Sequence, residues 1–146
     1  MTRVVVDASF ALKWVMEEAD SSRAEAILRG WHRRSVGRVA PAWFACEIAN
    51  ALYRRTIRLD VTLSQAQIGL EAIMEHVDVS AFDARLAVRA IELAARFDQR
   101  AAYDAHYLAL AEHLRCELWT ADERLWNATR ATLPWVRWLG EAAIRD

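Results

Sequence analysis

The chain has 146 residues, 55% of them apolar, with only four glycines and two prolines and a net charge of −1. That length and apolar content suit one compact domain with a sizeable core and exclude a disordered chain, while the near-neutral charge excludes the unspecific pull on nucleic acid that a basic domain exerts. No basic-then-apolar leader precedes Val4-Val5-Val6-Asp7 and no apolar run is long enough to span a bilayer, so a cytoplasmic protein with no membrane attachment is expected.

Arg3 to Val6 is a short β-branched apolar run, the pattern of a strand buried on both faces. Ser9 to Met16 turns helical, and Ser21 and Ser22 with Glu25 resemble a capping box that opens a helix running to about Arg34. A strand is expected at Arg38 to Ala40, with Pro41 in the first turn of a long helix to about Leu59. Thr62 or Ser64 can cap a helix through Met74, Val77 to Ala81 alternates like a strand, and Ala84 to Phe97 has helical spacing. After the polar break Asp98-Gln99-Arg100 a helix runs from near Tyr103 through Leu114, followed by a brief strand at Glu117 to Thr120. Asp122 caps a helix toward Thr129, and Trp135 to Leu139 is a last strand before a short terminal helix. Strands alternating with helices imply a parallel sheet covered on both faces.

Cys46 and Cys116 fall in apolar helical patterns without a second metal-ligand residue nearby, and are expected as reduced core residues. Of 19 basic residues only Lys13 is a lysine; the clusters Arg33-Arg34 and Arg54-Arg55 with Arg58 suit phosphates and solvated helix faces equally well. The seven tryptophans are expected mostly in the core or an interface, with Trp14 and Met16 beside Lys13 as the apolar surface offered to a partner. His106 and His113 read as surface or hydrogen-bonded residues rather than ligands or bases.

Four acidic residues stand apart because they fall on segments that otherwise read as core: Asp7 and Asp122 at strand ends, Glu47 within an apolar helix, and Asp104 at a helix start. Asp7, Asp104 and Asp122 can each be read as helix caps. Glu47 cannot, since a carboxylate inside a helix on an inward face needs a compensating partner. In open α/β sheets the carboxyl ends of strands near a reversal of strand order form the site, which would bring these groups together. Two carboxylates about 5 Å apart repel by roughly 3 kcal/mol at an effective dielectric of about 20, so four would take up protons or a cation. An all-oxygen set with Ser9, Asn50 and Thr120 nearby suits Mg²⁺ or Mn²⁺, whereas zinc would recruit His or Cys. Such an ion polarises a phosphoryl oxygen and acidifies water, the requirements of phosphodiester hydrolysis.

Four blocks, Val4-Val5-Val6-Asp7-Ala8-Ser9, Glu47-Ile48-Ala49-Asn50-Ala51-Leu52, Tyr103-Asp104-Ala105-His106-Tyr107-Leu108 and Thr120-Ala121-Asp122-Glu123, in this order resemble the motifs of PIN-domain ribonucleases. More narrowly they are similar to those of VapC, the toxin of VapBC toxin–antitoxin pairs. The resemblance spans the chain as one PIN domain over residues 1–146, although about Asp60 to Phe97 carries no motif. It implies a three-layer α/β/α sandwich with a short, mainly parallel sheet of four to five strands. It also implies a Mg²⁺- or Mn²⁺-dependent endoribonuclease, dimeric and restrained by a VapB-like antitoxin. Asp7, Glu47, Asp104 and Asp122 would be the catalytic quartet, with Asp7 and Asp104 ligating metal and Glu47 and Asp122 doing so directly or through water. Ser9, Asn50 and Thr120 would support them. Some relatives carry a further acid near the last motif, where this chain has Thr120, with Glu123 directly after Asp122, so the number of metals stays open. A metal-dependent phosphatase would want a second Asp where Ser9 stands, and a catalytically silent PIN-like interaction module would have no need of the quartet.

Overall fold

The computed structural model describes residues 1–142. Its centre is β1 (Arg3–Val6), where the two-residue period of a strand sends Val5 to one face of the sheet and Val4 and Val6 to the other, all three almost inaccessible. β1 pairs in parallel with β2 (Gly37–Ala40) through Val5 and Val39, and with β4 (Glu117–Thr120) through Val5 and Leu118. The edge strands β3 (Asp78–Val79) and β5 (Val136–Trp138) complete the order β3-β2-β1-β4-β5, parallel throughout.

Among the described residues seven helices cover this sheet: α1 (Ala8–Leu12), α2 (Ser21–Arg33), α3 (Phe44–Ile57), α4 (Leu63–Met74), α5 (Ala84–Arg96), α6 (Tyr103–Leu114) and α7 (Glu123–Thr129). On one face Ala24, Ile27, Leu28 and Trp31 of α2 pack with Val4, Val6 and Trp119. Phe10 lies among Trp14, Trp31 and Trp119 at centroid distances of 5.5–6.0 Å, in tilted and edge-on contacts. On the other face Phe44, Ile48 and Leu52 of α3 and Tyr107, Leu108 and Ala111 of α6 close over Val5 and Leu118. The result is the expected α/β/α sandwich. The chain leaves β1 toward β2 and β3 and then crosses back to β4 and β5, so strand order reverses between β1 and β4.

Several boundaries differ from the sequence reading for local reasons. At α4 the expectation holds, since Thr62, one of the two caps offered, starts the helix in a capping box with Gln65. Asp20 rather than Ser21 or Ser22 precedes α2; the Ser21 hydroxyl is drawn back to donate to the Met16 carbonyl and accept from the Glu18 N–H, so no box with Glu25 forms. Pro41 lies outside α3, because residues 41–43 form a turn in which the Phe44 N–H donates to the Pro41 carbonyl at 3.0 Å. The strand expected over residues 77–81 shrinks to two residues at the sheet edge, with one more ladder bond from the Ser80 N–H to the Ala40 carbonyl.

The sulfur and aromatic expectations also need correction. Both cysteines are free, but Cys46 is exposed on α3 and Cys116 only partly buried. Trp14 and Met16 do not form an open apolar surface: Trp14 packs edge-on against Phe10 and His76, Met16 is buried, and Lys13 pairs with Glu18. Leu139–Glu141 form a 3₁₀ turn, and the short terminal helix expected from the sequence otherwise falls outside the described residues. Among the described residues no helix is long and apolar enough to cross a membrane.

Candidate active site

Strand order reverses between β1 and β4, the place where α/β sheets form their sites, and Asp7 directly follows the carboxyl end of β1, only 4% exposed. The backbone brings it there directly, since the Asp7 N–H donates to the Trp119 carbonyl at 3.1 Å and continues the ladder by one bond. Its Oδ1 accepts from the Phe10 N–H at 2.9 Å, capping α1, and from the Ser9 hydroxyl at 2.7 Å. Ser9 Oγ in turn accepts from the Ala121 N–H at 3.0 Å and lies 3.3 Å from Thr120 Oγ1. Thr120 Oγ1 accepts from the Asp122 N–H at 3.0 Å. Two hydroxyls thus tie the end of β1 to the end of β4, the places of Ser9 and Thr120 in the sequence reading.

Asp122 caps α7, its Oδ1 accepting from the Arg124 N–H at 2.9 Å, while the Arg124 side chain reaches its Oδ2 at 3.4 Å. Asp104 sits in the first turn of α6, where partly positive N–H ends favour a charged carboxylate. Because α3 starts at Phe44, Glu47 falls in that helix's first turn rather than deep inside it. It is partly buried, and its Oε1 is fully enclosed with no hydrogen-bond partner among the described residues. Asn50, one turn further along α3, is exposed and makes no hydrogen bond with the described residues.

Three of the four carboxylates, Asp7, Glu47 and Asp104, are shifted in their ionisation by burial and by neighbouring charge. Burial pushes Asp7 up to about 6, against the lowering effect of the Thr120 and Ser9 hydroxyls and the Phe10 N–H, with Asp104 adding repulsion. Glu47 is pushed up to about 7, by burial first and then by the charges of Asp104 and Asp7. Asp104 is raised by burial and by Asp122, with Arg124 pulling the other way. Asp104 is therefore the hub, facing each of the other three.

Of two polar neighbours of Glu47, Trp43 shares its helix face by spacing, and Tyr107 of α6 escaped the sequence reading. The Tyr107 hydroxyl and the Trp43 indole N–H lie beside its carboxylate, yet neither closes a hydrogen bond, and both are buried without partners. Burial and the surrounding negative charge hold the Tyr107 phenol far above its usual range. The signal was present: a tyrosine on the core stripe of α6, three residues after Asp104, where Leu or Phe would fill the space without a polar atom to satisfy.

Such a set fits a divalent cation. The carboxylates destabilise one another, and an enclosed, unpartnered Glu47 oxygen is a lone pair in need of positive charge. Among the described residues no three acidic, His or Cys groups are poised to ligate one ion directly. An ion held here would retain water in its shell, as Mg²⁺ usually does.

Fold and site together define a parallel three-layer α/β/α sandwich with carboxylates gathered near the switch point of its sheet. The profile of the PIN domain matches residues 4–130, and the chain belongs to the PIN domain family. Solved structures share the fold. They include PAE2754 from Pyrobaculum aerophilum, at 19% identity and a TM-score of 0.70 over 95% of this chain and 92% of that one. A toxin–antitoxin complex from Klebsiella pneumoniae matches at 17% identity and 0.68, covering 93% and 97%. VapC20 of Mycobacterium tuberculosis, a sarcin–ricin loop cleaving toxin, matches at 21% and 0.65, covering 88% and 95%. No curated protein matches the chain by sequence.

Proposed function

We propose that this chain is a single PIN unit acting as a Mg²⁺- or Mn²⁺-dependent endoribonuclease, the toxin of a toxin–antitoxin pair in the cytoplasm. The observation that carries the reading is the convergence of Asp7, Glu47, Asp104 and Asp122 at the sheet's switch point, with one Glu47 oxygen enclosed and unpartnered. Asp7 and Asp104 would hold the cation, with Glu47 and Asp122 contributing directly or through water. When bound, the ion supplies Lewis-acid polarisation of a phosphodiester oxygen and acidifies water at that place. Ser9 and Thr120 hold the Asp7 carboxylate in one orientation, and Asn50 stands one turn from Glu47 where substrate can reach it. Arg124 lies over Asp122 with its side chain 90% exposed, placed to meet an RNA phosphate.

An antitoxin would cover apolar surface. A groove of about 740 Å³ between the α1–α2 connection and the α3–α4 hairpin is lined by Val15, Val61 and Ile68 among others. Ile57, Leu59 and Leu63 stand exposed on the same helical hairpin, which suits an apolar helix or strand from such a partner. Val88 and Ile91, exposed one turn apart on α5, suit pairing of two copies as a homodimer. Incubating the purified protein with a mixed RNA pool in Mn²⁺, Mg²⁺ or EDTA tests the activity. Cleavage is expected with either metal and absent with EDTA or in Asp104→Asn. Metal-dependent cleavage retained in Asp104→Asn would remove the assignment.

A further inference from the structure

Outward from Glu47 the site continues as an aromatic ledge. Trp43 lies one helical step before Glu47, whose backbone N–H donates to the Trp43 carbonyl at 3.0 Å, and its indole sits beside that carboxylate. The same ring meets His106 edge-on at 4.2 Å between centroids and Phe82 at 6.5 Å, tilted by 60°. His106 follows Asp104 by two residues, and its Nδ1–H donates to the Ala102 carbonyl at 2.6 Å, which locks the imidazole against Trp43.

Phe82 is placed differently. It rides on the connection between β3 and α5 and is 66% exposed, although the adjoining side chains are aromatic and could have enclosed it. Leaving that ring in water forgoes hydrophobic stabilisation, so its exposure beside a carboxylate site calls for an occupant. Phe82, Trp43 and His106, with Ser80 and Asp83, line a cleft of about 20 Å³. That volume admits a water and is far too small for a planar base, which must lie across the mouth against the open Phe82 face. Arg85 stands alongside, 88% exposed and held by Asp83 at 3.0 Å, a cation within the same short stretch of chain for an adjoining phosphate.

Charge explains why such a platform is needed. The chain carries a net charge of −1, and the site gathers four carboxylates, so a polyanionic substrate gains little from overall electrostatics. Stacking draws on the π-face every base possesses and does not depend on charge. We propose that Phe82, backed by Trp43 and His106, is a stacking platform for one unpaired nucleobase next to the phosphodiester that is cut, an inference that rests on the ribonuclease reading above.

The test uses hexaribonucleotides carrying a single abasic residue at each position in turn, with wild type, Phe82→Ala and Phe82→Trp. Binding is followed by fluorescence anisotropy in Ca²⁺ and cleavage separately in Mn²⁺. For wild type, one abasic position should weaken binding about ten-fold, equivalent to about 1.4 kcal/mol. Phe82→Ala should weaken binding of the intact oligomer by the same factor and show no further loss at that position, and Phe82→Trp should restore it. Wild-type binding by Phe82→Ala overturns the platform and leaves Phe82 to a protein partner; a further loss at the same abasic position overturns it too. Position-dependent binding without cleavage removes the nuclease reading and keeps the platform. Cleavage without position dependence does the reverse, and failure of wild type to bind any oligomer removes both.

Discussion

Where β1 and β4 end, Asp7, Ser9, Thr120 and the Ala121 and Asp122 N–H groups are joined in one hydrogen-bonded set. On α3 and α6, Glu47 Oε1, the Tyr107 hydroxyl and the Trp43 indole N–H are buried with no partner among the described residues. The two sides share the same repelling charges but are organised differently. The strand side is held by backbone and hydroxyls, whereas the helix side keeps one carboxylate oxygen and two donor groups without partners among the described residues. One half of the site is thus preorganised and the other is not, and the proposed cation reading predicts different responses from the two halves.

The largest effect is expected from Asp7→Asn, which removes the anchor. RNA cleavage should fall by about a thousand-fold or more, the scale of several kcal/mol of lost charge stabilisation. The same substitution should stabilise the protein in EDTA at pH 8 by up to about 3 kcal/mol, because a group raised from 3.8 to about 6 is ionised there at a cost. Denaturant unfolding in EDTA checks this, and an unchanged or lower stability would show that the anchor carries no repulsion.

Wild type should show the same linkage directly. Asp7 and Glu47 bind protons more tightly folded than unfolded, with values of about 6 and about 7 against 3.8 and 4.5. Their contribution to stability is full below pH 4 and is lost as pH rises to about 7. In EDTA these two groups should therefore make the protein less stable at pH 8 than at pH 5, and Mg²⁺ or Mn²⁺ should recover the loss at pH 8. Thermal melts at the two pH values, with and without metal, report it without any cleavage assay. A metal-independent Tm at pH 8 would contradict the cation reading.

Smaller effects separate the two sides. Ser9→Ala leaves the Ala121 N–H without its acceptor and removes one of the donors to Asp7, and should cost about 1–3 kcal/mol. Tyr107→Phe removes a hydroxyl that has no partner, so without metal its stability should lie within about 1 kcal/mol of wild type, on the stabilising side. Equal losses from the two substitutions, read from urea midpoints in EDTA, would erase the distinction between a satisfied and an unsatisfied half.

The parts of the site that could be read from the chain are those set by local pattern. Val4-Val5-Val6 announces a strand buried on both faces, and the first acid after it must lie at the carboxyl end, so Asp7 was placed by periodicity alone. Asp122 follows β4 in the same way. Thr62 with Gln65 shows the capping chemistry that starts α4. What misled was ambiguity between equivalent local solutions. Ser21 had the right neighbours for a cap, but a tertiary contact with the Met16 carbonyl took its hydroxyl. Cys46 and Asn50 lie on a helix whose apolar composition suggested an inward face, yet both are exposed, because the buried stripe of α3 follows Phe44, Ile48 and Leu52.

By itself the sequence determined the parallel α/β class and the identity of four misplaced acids, since strand and helix periodicities and the cost of burying charge are local matters. Only the tertiary structure decided that Asp104 faces the other three, that Tyr107 and Trp43 enclose Glu47, and that Phe82 remains in water beside them. Those relations join residues far apart in the chain, and they follow from the return of the chain across the sheet from β3 to β4, a crossover that no local pattern records.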